Sequence, residues 1–122
     1  MEAHWHAFGY TGHARPRDSE ARDPQAAAPP NVVDMWFRKP RSMMEGTFTQ
    51  PDVAADWLER QLAESPPPAN AVSVERHMKS ARDALARGAD AYVGYYTERG
   101  RFLVRAVLIC PRRGERCPSP PA

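Results

Sequence analysis

Two cysteines stand near the C-terminus, in the run Cys110-Pro111-Arg112-Arg113-Gly114-Glu115-Arg116-Cys117-Pro118. Thiols at this separation can close a disulfide or supply half of a zinc site, which needs four ligands. His4, His6 and His13 are ligand types at the other end of the chain. The spacing matches no short-range zinc signature, and those histidines fall in a segment that reads as unstructured. The expectation is therefore no metal and no cofactor. Cys110 reads as a strand-end core residue and Cys117 as a free thiol, reduced by default in a cytoplasmic chain.

Other chemistry is sparse. Asp52, Asp56 and Glu59 follow one another at helical spacing, but carboxylates on a helix surface are usually solvated, and acid–base work needs a pocket. His77 lies beside an apolar helical stripe with no thiol or carboxylate partner in view, so it reads as a structural histidine. No nucleophile elbow, Ser/His/Asp or Cys/His arrangement, or glycine-rich phosphate loop is present. No catalytic residue and no enzyme are expected.

Aromatic and guanidinium groups give the main binding candidate. Tyr92, Tyr96, Arg101 and Arg105 alternate along two strand-like segments, and Arg99, Arg112, Arg113 and Arg116 flank them. Rings that stack bases beside cations that neutralise phosphates suit a nucleic-acid surface. Tyrosine and arginine are equally ordinary on an exposed sheet face.

These groups need elements to position them. Val32-Val33-Asp34-Met35-Trp36-Phe37 is β-branched and aromatic and reads as a strand. Met43 to Phe48 reads as a second short strand, weakened by Gly46. Thr49 as N-cap with Asp52 three positions on suggests a capping box, with Phe48 and Val53 as a hydrophobic staple. The helix that follows carries Val53, Ala54, Trp57, Leu58 and Leu62 on one face and ends at Pro66-Pro67-Pro68. A second helix, capped by Asn70 or Ser73, buries Val74, Met78, Ala81 and Leu85 and ends at Gly88. Ala91–Thr97 and Arg101–Cys110 read as a hairpin about the two-residue turn Arg99-Gly100. That turn pairs Tyr95 with Val104 and Gly94 with Arg105, so Arg105 would lie between the rings of Tyr92 and Tyr96. A three-residue loop would shift every partner by one.

The expected fold is α+β, a small antiparallel sheet with a C-terminal β-hairpin and two helices. The order of strand, helix, proline-rich turn, helix and hairpin also resembles the latter part of a winged helix-turn-helix. That resemblance implies a recognition helix presenting Arg76, Lys79, Ser80 and Arg82, with Arg99-Gly100-Arg101 as the wing tip. Residues 1–31 read as a disordered arm, 32–111 as the single domain and 112–122 as an Arg/Pro-rich tail. The ring-rich run His4 to Tyr10 reads as part of that arm, or as sequence upstream of the true start.

Length and charge bound the rest. The chain has 122 residues, enough for one domain. No stretch approaches the roughly 20 apolar residues of a membrane span. The formal net charge is only +2, but it is unevenly placed. Residues 45–64 hold Glu45, Asp52, Asp56, Glu59 and Glu64 against Arg60, whereas 99–116 hold six arginines against Glu115. Arginine greatly outnumbers lysine, a bias that a high-GC genome imposes, so it is weak evidence of phosphate recognition. The expected function is a non-enzymatic binding or regulatory module. Its expected partner is nucleic acid, through Tyr92, Tyr96, Arg99, Arg101, Arg105, Arg112 and Arg113. The alternative is a protein partner, met by the acidic helix 50–64 or the proline-rich tail.

Overall fold

A computed structural model describes residues 2–118. Four strands, β1 (His4–Gly12), β2 (Met44–Phe48), β3 (Ala91–Tyr96) and β4 (Phe102–Cys110), form one antiparallel sheet in the order β2-β1-β4-β3. Among the described residues three α-helices accompany it: α1 (Asp18–Arg22), α2 (Pro51–Glu64) and α3 (Val74–Ala86). The fold is α+β, as the pattern of elements predicts.

The N-terminal segment departs most from expectation. Residues 4–12 are not an arm but an inner strand, hydrogen-bonded to β2 on one side and to β4 along its whole length. Trp5 and Ala7 point to one face of the sheet, while His4, His6 and Phe8 point to the other. All five are buried. A strand covered on both faces has no polar side to alternate with its apolar one, so the period-2 signal of a half-exposed strand is missing.

Helices α2 and α3 cover one face. Leu58 and Leu62 of α2 and Met78, Ala81 and Leu85 of α3 close over Trp5, Ala7, Val93, Leu103 and Val107. The α3 cap is as expected: Ser73 Oγ accepts from the Arg76 N–H at 3.2 Å. The α2 cap is displaced by one residue. Gln50 occupies the N-cap without a side-chain bond and Pro51 opens the helix. Phe48 packs against Trp57, with ring centroids 6.2 Å apart, whereas Val53 is exposed, so no staple forms.

The opposite face is also covered. Val33–Arg38 is a 3-10 helix rather than a strand. Val32, its N-cap, and Val33, its first residue, are exposed and find no ladder partner, and the turn sinks Trp36 against Phe8. Propensity yields here to the burial of one large ring. Trp36 joins Met43, Val104, Ala106 and Leu108 in a second apolar cluster. The chain before it is pinned by Lys39, which is only 7% exposed. Lys39 Nζ donates to the carbonyls of Glu20 (3.0 Å), Asp23 (2.8 Å) and Ala26 (3.4 Å). Lys39→Met removes three charge-assisted bonds. It should release residues 18–28, seen as faster amide exchange there, at a cost of about 1–3 kcal/mol.

The hairpin register differs by one from the two-residue reading. Tyr96 pairs with Phe102, Gly94 with Val104 and Val93 with Arg105. Glu98, Arg99 and Gly100 make a three-residue loop, closed by the Thr97 N–H to the Arg101 carbonyl at 2.7 Å. Gly100 has φ +79°, the left-handed position that such loops assign to glycine. The shift moves Arg105 to the helix-covered face, away from Tyr92 and Tyr96.

The winged-helix alternative is not the architecture. Both long helices pack on one side of a four-stranded sheet, and Arg82 of the supposed recognition helix is bound by Asp56 (2.9 Å) and Glu59 (2.7 Å) of α2. Residues 112–118, expected as part of a tail, fold back on the domain. Arg38 grips Glu115 through both carboxylate oxygens, and Arg41 donates to the Pro118 carbonyl. The rest of the expected tail, 119–122, lies outside the described residues.

Candidate metal centre

The structure brings together two pairs of residues from opposite ends of the sequence. His4, His6, Cys110 and Cys117 place one ligand atom each so that all four lie within 4.8 Å of one another. The strands explain why. His4 and His6 are two residues apart on β1, so both side chains leave the same face. Cys110, at the end of β4, is the register partner of His4 and projects beside it. The loop 111–116 then turns back and delivers Cys117. Its turn is closed by the Glu115 N–H to the Arg112 carbonyl at 3.1 Å, with Gly114 at φ +80°.

The histidines are oriented as ligands. His4 Nδ1 lies 3.0 Å from the Glu2 carbonyl, which can only accept, so Nδ1 carries the proton. His6 Nδ1 lies 3.0 Å from Thr47 Oγ1 of β2, a hydroxyl able to accept from it in the same tautomer. In that tautomer both Nε2 atoms present lone pairs, each 3.3 Å from Cys117 Sγ. Metal-bound histidines typically have the far nitrogen tied in this way to a carbonyl or hydroxyl.

Burial and the two Nε2–Sγ separations of 3.3 Å suit a tetrahedral ion, and the whole set, spread over up to 4.8 Å, would draw in to close on one. Bonds of about 2.3 Å to sulfur and 2.0–2.1 Å to nitrogen imply ligand atoms about 3.3–3.8 Å apart. His4, His6 and Cys110 are buried and Cys117 half-buried. Burial, and after it the neighbouring His4, push His6 down to about 4, so its ring is neutral at pH 7. Burial, then the hydrogen bond and charge of Cys117, push the Cys110 thiol up to about 11. Cys110 thus holds its proton until a cation displaces it. A set of two imidazoles and two thiolates suits zinc, and two thiolates would leave a ZnS2N2 unit neutral.

The anticipated nucleic-acid residues are not brought together. Tyr92 and Tyr96 are exposed on the outer face beside Gly94 and Phe102. Arg105 lies on the other face, where it donates to Gln61 Oε1 (2.8 Å), the Tyr10 carbonyl (2.8 Å) and Thr11 Oγ1 (3.1 Å). Gly9 is its register partner. A Cβ there would stand 3.3 Å from Arg105 Cδ, so the glycine makes room for the arginine stem. Arg99 and Arg101 are exposed at the hairpin tip. Arg112 is at the far end of β4, roughly 30 Å away for a nine-residue strand. It is held by Asp34 (2.7 Å) and Asp90 (2.8 Å) and lies over the Phe37 ring. Arg113 is exposed in the turn of the cysteine loop.

The sequence did carry one signal for the metal cluster: His-x-His is the spacing that puts two ligands on one face of a strand. It loses its meaning once the segment is taken as unfolded. No family model matches the chain, and neither does any curated protein or solved structure.

Proposed function

We propose that the protein is a non-enzymatic binding module built around a closed zinc centre of His4, His6, Cys110 and Cys117. The observation that carries this reading is the convergence of four ligand atoms within 4.8 Å from two strands and a loop. Four protein ligands fill a tetrahedral ion and leave no position for substrate, which marks a structural site. Its work is to fasten the cysteine loop to the start of β1. Cobalt(II) added to metal-free protein should give the visible bands of a tetrahedral thiolate complex, saturating at one equivalent and bleached by zinc. Cys117→Ser, with one thiolate fewer, should show weaker thiolate bands, and their absence in the wild type would remove the reading.

A nucleic-acid contact is a second reading, favoured by the exposed rings of Tyr92 and Tyr96, which are 53% and 48% exposed. Arg15 lines the cleft that opens beside Tyr92, Gly94 and Phe102, and donates its backbone N–H to the Tyr96 hydroxyl at 3.3 Å. Stacking contributes about 1–3 kcal/mol per base, so Tyr92→Ala should weaken single-strand binding roughly fivefold or more at low salt. Arg105→Ala should leave that binding unchanged, because its guanidinium is engaged on the other face. Titration of labelled single-stranded DNA and RNA at two salt concentrations decides this, and no binding at low salt removes the reading.

A further inference from the structure

We propose that the same centre is a redox-released clasp: a peroxide-class oxidant joins Cys110 to Cys117 in a disulfide, expels the zinc and uncouples the cysteine loop from β1. This rests on the zinc reading above. The two sulfurs are neighbours in the cluster, within 4.8 Å of one another. Only six residues separate them, and the turn at Gly114 already folds those residues into a closed loop. A disulfide can therefore replace the metal without unfolding the strands.

The two thiols are unequal in access. Cys110 is 1% exposed beneath the end of the sheet, whereas Cys117 is half-buried at the outer side of the cluster. Exposure and thiolate character govern oxidation, so Cys117 reacts first. Its thiolate sulfur attacks one peroxide oxygen, the O–O bond breaks, and a sulfenic acid and hydroxide result. The Cys110 thiolate then attacks the sulfenic sulfur, forming the S–S bond and expelling a second hydroxide. Two electrons pass from the sulfur pair to the peroxide, and two protons from solvent convert the hydroxides to water. The zinc keeps only His4 and His6, loses both thiolates and leaves.

The products differ in one attachment. The loop 110–117 stays closed by the disulfide. His4 and His6 lose the ion that linked them to Cys117, so the metal tie between β1 and the loop is gone. The ion pair of exposed Arg38 with the buried Glu115 carboxylate and the Arg41 bond to Pro118 remain, but neither reaches β1.

The test uses the full chain, with zinc content measured first. One equivalent of hydrogen peroxide is added to zinc-loaded protein in the presence of a chromogenic zinc chelator. The expected result is one zinc released for each pair of thiols lost, with a Cys110–Cys117 disulfide in the peptide map. A dithiol reductant with added zinc should restore the starting state. Amide exchange should rise at residues 2–6 and 111–118 and stay unchanged in α2 and α3. In Cys110→Ser, oxidation should stop at Cys117 sulfenic acid, trapped by a dimedone probe. Zinc retained after both thiols are lost would overturn the proposal. So would zinc released with only intermolecular or over-oxidised cysteine. A chain that holds no zinc before oxidant is added fails the metal reading itself, and the clasp falls with it. A zinc-loaded chain whose thiols resist peroxide fails the clasp alone.

Discussion

Stripping zinc from the purified chain with a strong chelator should lower its melting temperature by roughly 10–20 °C. The size follows from mass action: an ion present at 1,000 times its dissociation constant stabilises the native state by about 4 kcal/mol. One kcal/mol corresponds to a few degrees in a chain of this length. The structure says where the loss is felt. Cys117 and the loop before it are held to β1 through the cluster, so the loop and the first residues of β1 should loosen first. Thr47→Val should give a partial effect, since it removes only the hydrogen-bond partner that orients the His6 ring. A loss of about 10–100-fold in zinc affinity is expected there, with the fold intact. Calorimetry of the zinc-loaded, chelated and Thr47→Val forms checks both statements. Equal melting temperatures with and without zinc would mean that the cluster does not hold the fold.

A chain beginning at residue 13 should not fold. This expectation opposes the reading of the N-terminus as a dispensable arm. β1 is hydrogen-bonded on both edges, and its removal leaves β2 without a neighbour in the sheet. It also takes Trp5 and Ala7 from one apolar cluster and Phe8 from the other. Truncating one such aromatic residue to alanine costs about 3–5 kcal/mol, against a total stability of roughly 5–15 kcal/mol for a domain. Circular dichroism and NMR dispersion of residues 13–122 should show no cooperative transition. The milder Phe8→Ala should fold with a melting temperature lower by about 10–20 °C. A cooperative, native-like 13–122 chain would contradict the role assigned to β1.

Local signals in the sequence were readable where one chain segment decides its own structure. Ser73 caps α3 and Gly88 ends it with φ +78°, because a cap is a contact between near neighbours. The apolar stripes of α2 and α3 mark the face that packs on the sheet. What was not legible depends on distant partners. The strand character of His4–Gly12 exists only because β2, β4 and the Trp36 segment cover it. The β-branched run at Val32 gives a 3-10 helix because no strand edge reaches it. One extra residue in the 98–100 loop reverses the hairpin faces and removes Arg105 from the tyrosines. The metal cluster needs all of these at once. Its histidine pair and its cysteine pair stand more than 100 residues apart, and their approach follows from the pairing of β1 with β4 and the return of the 111–116 loop.

The most direct test is X-ray absorption at the zinc edge of the chain purified with its metal. Two sulfur neighbours near 2.3 Å and two nitrogen neighbours near 2.0–2.1 Å are expected, with imidazole outer-shell scattering. Cys117→Ser should show the loss of one sulfur. A first shell of oxygen and nitrogen alone, or no zinc in the purified chain, would contradict the His4, His6, Cys110 and Cys117 centre.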